Sequence, residues 1–89
     1  MNSRILIIYE YQILYQILNE ISESLNFEIT QSNSKDLKEL KYDHKNNYLI
    51  VSKKKIEGIK NSLILENIPI RFEKLIEMIN MNFLKNKFL

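Results

Sequence analysis

The sequence predicts an α/β protein: a four-stranded parallel sheet between helices, in three layers, α/β/α. Three observations predict it. Residues 4–9 (RILIIY) and 48–52 (YLIVS) are unbroken apolar runs rich in β-branched side chains, as in strands covered on both faces. Elsewhere the apolar spacing changes to the helical period, at Leu14, Ile17, Leu18, Ile21 and Leu25, and again at Phe72, Leu75, Ile76, Ile79 and Phe83. The stretch from Leu63 to Leu84 passes from apolar strand through the single proline, Pro69, into an amphipathic helix. Strands alternating with helices make a parallel sheet, and right-handed crossovers put the first strand between the second and third.

Taken in order, the first strand (residues 4–9) leads into a helix over residues 11–25. Gln12, Gln16, Glu20 and Glu23 lie on its outer side, and Asn26 stands where a left-handed stop residue belongs. Residues 27–31 (FEITQ) alternate apolar and polar, the pattern of a half-buried edge strand. Asn33 or Ser34 caps a short helix over residues 35–42, with Leu37 and Leu40 turned inward. A loop, DHKNN, precedes the strand at 48–52. Residues 53–61 (KKKIEGIKN) hold the only glycine, Gly58. They are barely long enough for a parallel crossover, which needs about a dozen residues. The last strand covers residues 62–66. After Pro69 comes the final helix, with Lys74, Glu77, Lys85, Met78 and Met81 on the side away from the core.

Composition narrows the function classes. With 89 residues, the chain is one domain, residues 1–89. A chain of this size buries only about 60–65% of its unfolded surface, so a partner or a second copy would add stability. There is no cysteine, which excludes disulfides and thiolate metal sites. A net charge of +2 is too small to argue for nucleic acid. The chain is rich in Ile, Asn and Lys and lacks alanine, a bias that discounts the lysines as a selected basic surface. The apolar start breaks at Glu10, too early for a signal peptide. Nothing approaches the roughly 20 apolar residues of a membrane span, so the expectation is a cytoplasmic protein.

Three stretches together resemble a response-regulator receiver domain: residues 4–10 (RILIIYE) with the helix and aromatic-acid strand that follow, residues 48–52, and residues 67–82 (NIPIRFEKLIEMINMN). The resemblance implies a truncated flavodoxin-like fold with strand order 2-1-3-4. It also implies what is missing. Where the family has an acidic pair that binds Mg²⁺, this chain has Tyr9 and Glu10. The phosphoacceptor aspartate falls on Ser52 or Lys53, and neither forms an acyl phosphate. The lysine before the family's proline falls on Ile68, beside the retained Pro69. The interval between Ser52 and Ser62 is too short for the family's third helix, fourth strand and fourth helix. Octahedral Mg²⁺ needs more than one anchored carboxylate plus phosphate oxygens. Without metal, acceptor and lysine, nothing stabilises the charge of phosphoryl transfer. The resemblance therefore implies a degenerate receiver with no cofactor and no metal, which is not an enzyme.

Other features have simple readings. Glu10 reads as a solvated turn residue, because divalent sites need several oxygens. His44, beside Asp43, has no nucleophile in a recognisable triad order and reads as a loop residue. Lys53, Lys54 and Lys55 follow a strand end, where α/β folds place their ligand crevice; they are candidate anion contacts, with a solvated charge run as the plainer reading. No glycine-rich phosphate loop occurs. The aromatics read as core or strand-end residues, not RNA-stacking platforms. The Ile68–Pro69 bond is a place for a cis peptide.

The expected function is a non-enzymatic protein–protein interaction module that docks or dimerises through its last helix, since receivers commonly pair there. Met78, Met81 and Phe88 are the expected contacts, methionine being adaptable at partner surfaces. The partner is another protein or a second copy, not a membrane or a metal. The alternative is a small nucleic-acid-binding accessory protein using Lys53–Lys55, Lys60 and the C-terminal lysines; nucleic acid is the less favoured partner.

Overall fold

The structure, a computed structural model, describes residues 4–33, 47–56, 62–69 and 71–87. In chain order these form β1 (Arg4–Tyr9), α1 (Gln12–Glu20), a 3₁₀ turn (Ser22–Ser24), β2 (Glu28–Ser32), β3 (Asn47–Ser52), β4 (Ser62–Ile64) and α2 (Phe72–Lys87). The strands make one sheet in the order β2-β1-β3-β4, and every neighbouring pair is parallel. This is the strand order of a small flavodoxin-like α/β fold. The expected helix over residues 35–42, with Asp43, His44, Gly58, Lys60 and Phe88, lies outside the described residues.

The continuous apolar runs are buried on both faces. Leu6, Ile7 and Ile8 of β1 and Leu49, Ile50 and Val51 of β3 are all removed from solvent. Period-2 alternation divides them. Leu6, Ile8, Leu49 and Val51 join Leu63 and Leu65 on the face that packs against Leu14 and Leu18 of α1 and Leu75, Ile79 and Phe83 of α2. Ile7 and Ile50 point the other way, where Ile56 packs on them with the half-buried Ile5, Tyr9 and Tyr48. Both described helices therefore cover the same face of the sheet.

The N-terminal end of the sheet is tied to α2. Arg4 Nη1 donates to Asn80 Oδ1 at 3.0 Å, and Asn47 Nδ2 donates to the Phe83 carbonyl at 3.0 Å. The Arg4 guanidinium lies 5.9 Å from the centroid of the Phe83 ring, within cation–π range. Phe27 meets the same ring at 5.6 Å.

Four expectations are corrected. Helix α1 is shorter than residues 11–25. It stops at Glu20, and the chain continues as a 3₁₀ turn in which Ser24 N donates to Ile21 O and Leu25 N to Ser22 O. Ser22 and Ser24 are weak helix formers, while Ile21 and Leu25 still reach the core. Phe72 is 47% exposed. It has the helical phase of the core face but lies in the first turn, ahead of Leu75, the first α2 residue that is buried. Met78 does not face away: it packs against the core cluster. It stands three residues after Leu75 and one before Ile79, so the buried stripe is wider than the apolar spacing marks. The Ile68–Pro69 bond is trans, since no cis peptide occurs among the described residues. Trans is the lower-energy state even before proline.

Candidate functional site

The carboxyl ends of the strands form the end of the sheet where the sequence places its candidate residues. Tyr9 closes β1 level with Ser32 of β2 on one side and Ser52 of β3 on the other. Beyond β1 the chain passes to the face covered by α1. Beyond β3 it passes to the opposite face, where Ile56 is buried on Ile7 and Ile50. Chain segments leaving neighbouring strands in opposite directions open a crevice between them, the topological switch point of an open parallel sheet.

Two depressions flank this point, with Glu10 on the lining of both. One, of about 370 Å³, is lined by Tyr9, Glu10, Ser52, Lys53, Lys54, Lys55 and Ile56. The other, of about 600 Å³, lies towards β2, between Glu10–Gln12 and Gln31–Asn33. The fold thus brings together Tyr9, Glu10, Ser52, Lys53, Lys54 and Lys55, which are distant in sequence. Ile68 is not with them. It packs against the core cluster, and Pro69 beside it is half-buried.

Local backbone shapes the crevice. Glu10 has φ of 46°, in the left-handed region that disfavours residues with a Cβ. Its N–H donates to the Ser32 carbonyl at 3.0 Å, which fixes the turn from β1 into α1. Its side chain is exposed. Ser52 is only 1% exposed. Its hydroxyl donates to the Lys54 carbonyl, and its own carbonyl accepts from Leu65 N at 2.8 Å. The three lysines that follow are exposed. They occupy a short arc held at one end by Ser52 and at the other by Ile56.

Tyr11 was not singled out by sequence reasoning. Its hydroxyl donates to the Leu65 carbonyl at 2.8 Å, joining the start of α1 to the end of β4. Burial holds its pKa above the ordinary 10.0. No sequence signal marks this contact, which links residues 54 positions apart.

Chemically, the smaller depression offers three ammonium groups and one carboxylate, while its one hydroxyl from serine is already engaged. Among the described residues no cluster of three or more His, Cys, Asp or Glu is placed to hold a metal ion, and no helix is long and apolar enough to cross a membrane. The other predicted surface is on α2, where Met81 and Leu84 are 52% and 47% exposed. Compared with known protein families, curated proteins and solved structures, the chain matches none.

Proposed function

We propose that the chain is a non-enzymatic interaction module, a shortened receiver-like domain without phosphorylation chemistry, that pairs with a second copy of itself through the outer side of α2. The observation that carries this reading is the residue pattern on that side. Met81 and Leu84 stand out from a helix whose opposite side, Leu75, Ile79 and Phe83, is fully buried. The helix is therefore a rigid platform for the two exposed apolar groups.

The pattern is self-complementary. In an antiparallel pair of α2 helices centred on Met81, a residue four positions before Met81 faces the one four positions after it on the second copy. That sets Glu77 against Lys85, twice by symmetry, with Met81 of each copy at the centre and Leu84 beside it. Opposite charges meet at the rim and apolar groups at the centre, as an isologous interface requires. Each rim pair contributes up to about 1 kcal/mol. A small domain also gains stability from covering such surface. The crevice supports the non-enzymatic part of the reading: Ser52 is buried and engaged, and Glu10 is the one carboxylate on its lining.

The test is sedimentation velocity over a concentration series. Met81→Glu should keep the chain monomeric at concentrations where the wild type associates, and its urea midpoint should equal that of the wild type at dilutions where the wild type is monomeric. Glu77→Lys should also weaken association, and adding Lys85→Glu should restore it. A wild type that stays monomeric throughout, or a double variant no better than the single one, would overturn the pairing.

A further inference from the structure

We infer that the crevice between the ends of β1 and β3 is a binding site for a small phosphate-bearing anion, held by Lys53, Lys54 and Lys55. Position, charge and order support this independently of the α2 surface. The crevice is the switch point of the sheet, where open α/β folds bind ligands. Its lining carries three exposed lysines against one carboxylate. Its volume, about 370 Å³, falls at the small end of ligand sites, which run from about 300 to 1,000 Å³.

Order matters as much as charge. A free lysine run loses conformational entropy when it closes on an anion. Here the Ser52 hydroxyl bonded to the Lys54 carbonyl and the buried Ile56 hold the arc in place beforehand, which lowers that cost. Ammonium groups act as point charges and suit a phosphate that presents several oxygens at once. A polynucleotide fits less well. Strand binding needs a long basic groove with stacking aromatics, and this lining is short with Tyr9 as its one aromatic. Glu10 on the same lining repels an anion, which gives the site a diagnostic sign.

The experiment is a titration of the ¹⁵N-labelled full chain with sodium pyrophosphate at low ionic strength, followed by amide chemical shifts. Saturable shifts should concentrate at Glu10 and residues 53–56. Replacing Lys53, Lys54 and Lys55 with Gln together should weaken binding roughly tenfold or more, and Glu10→Gln should tighten it roughly threefold, the scale of one charge acting through solvent. Lys74→Gln should change nothing. If the triple variant does not fold, the wild-type shift map and Glu10→Gln still decide. Shifts that never saturate, or that spread over lysines across the surface, would overturn the site. So would weaker binding in Glu10→Gln. Binding of a single-stranded RNA oligonucleotide without binding of pyrophosphate would reassign the lysines to nucleic acid.

Discussion

Glu10 and Tyr11 are adjacent, and each holds part of the turn from β1 into α1. Glu10 adopts a backbone that glycine adopts freely. A left-handed conformation costs an L-residue about 1–2 kcal/mol, partly offset because glycine loses more freedom on folding. Glu10→Gly should therefore stabilise the fold by up to about 1 kcal/mol, read from urea denaturation. A large loss would mean that the carboxylate makes a stabilising contact. Tyr11→Phe removes the bond to the Leu65 carbonyl and should destabilise by about 1 kcal/mol at neutral pH. The pH dependence follows from the raised pKa. A phenol that keeps its proton longer in the folded chain contributes fully below the unfolded value of 10.0. That contribution is lost as pH rises through the folded value. The gap between wild type and Tyr11→Phe should thus narrow above about pH 10. Equal gaps at both pH values would show that the hydroxyl is not buried.

At the scale of elements, α2 separates what periodicity states from what it omits. The spacing of Leu75, Ile79 and Phe83 identified the buried side correctly. It did not say where along the axis the sheet begins, so Phe72 was assigned to the core. Nor did it give the width of the contact, so Met78 was assigned to the surface. The two methionines are now distinguishable. Met78→Glu forces a charge against the core cluster and should lower stability by about 1–3 kcal/mol. Met81→Glu should leave the urea midpoint unchanged when both proteins are compared as monomers. Similar midpoints for both variants would contradict the packing of Met78. In α1 the apolar period continued to Leu25, but the helix ended at Glu20. Ile21 and Leu25, which flank the 3₁₀ turn, keep their side chains on the core after the α-helical bonds stop.

The whole molecule depends on the join between α2 and the sheet. Phe83 is fully buried, packs on Phe27, lies under Arg4 and receives Asn47 at its carbonyl. Domains have roughly 0.05–0.15 kcal/mol of stability per residue, so a chain of this size has little in reserve. Phe83→Ala should cost about 3–5 kcal/mol and leave a substantial unfolded fraction on mild heating, measured by far-UV circular dichroism. A loss under about 1 kcal/mol would mean that the sheet stands without α2. The strand order was legible in advance because crossover handedness restricts parallel sheets to few arrangements.

By itself the sequence determined the parallel sheet, its order, the inward residues of β1 and β3, and the central buried residues of both described helices, Leu14, Leu18, Leu75, Ile79 and Phe83. Those follow from the periods of 2 and 3.6 that covalent geometry imposes on any segment. Its list of strand-end residues could not show that Tyr9, Glu10, Ser52 and Lys53–Lys55 line one crevice. Only the tertiary structure decided that, along with the trans Ile68–Pro69 bond, the Tyr11–Leu65 link and the burial of Met78. Each depends on groups remote in sequence meeting in space, and local pattern carries no record of such meetings.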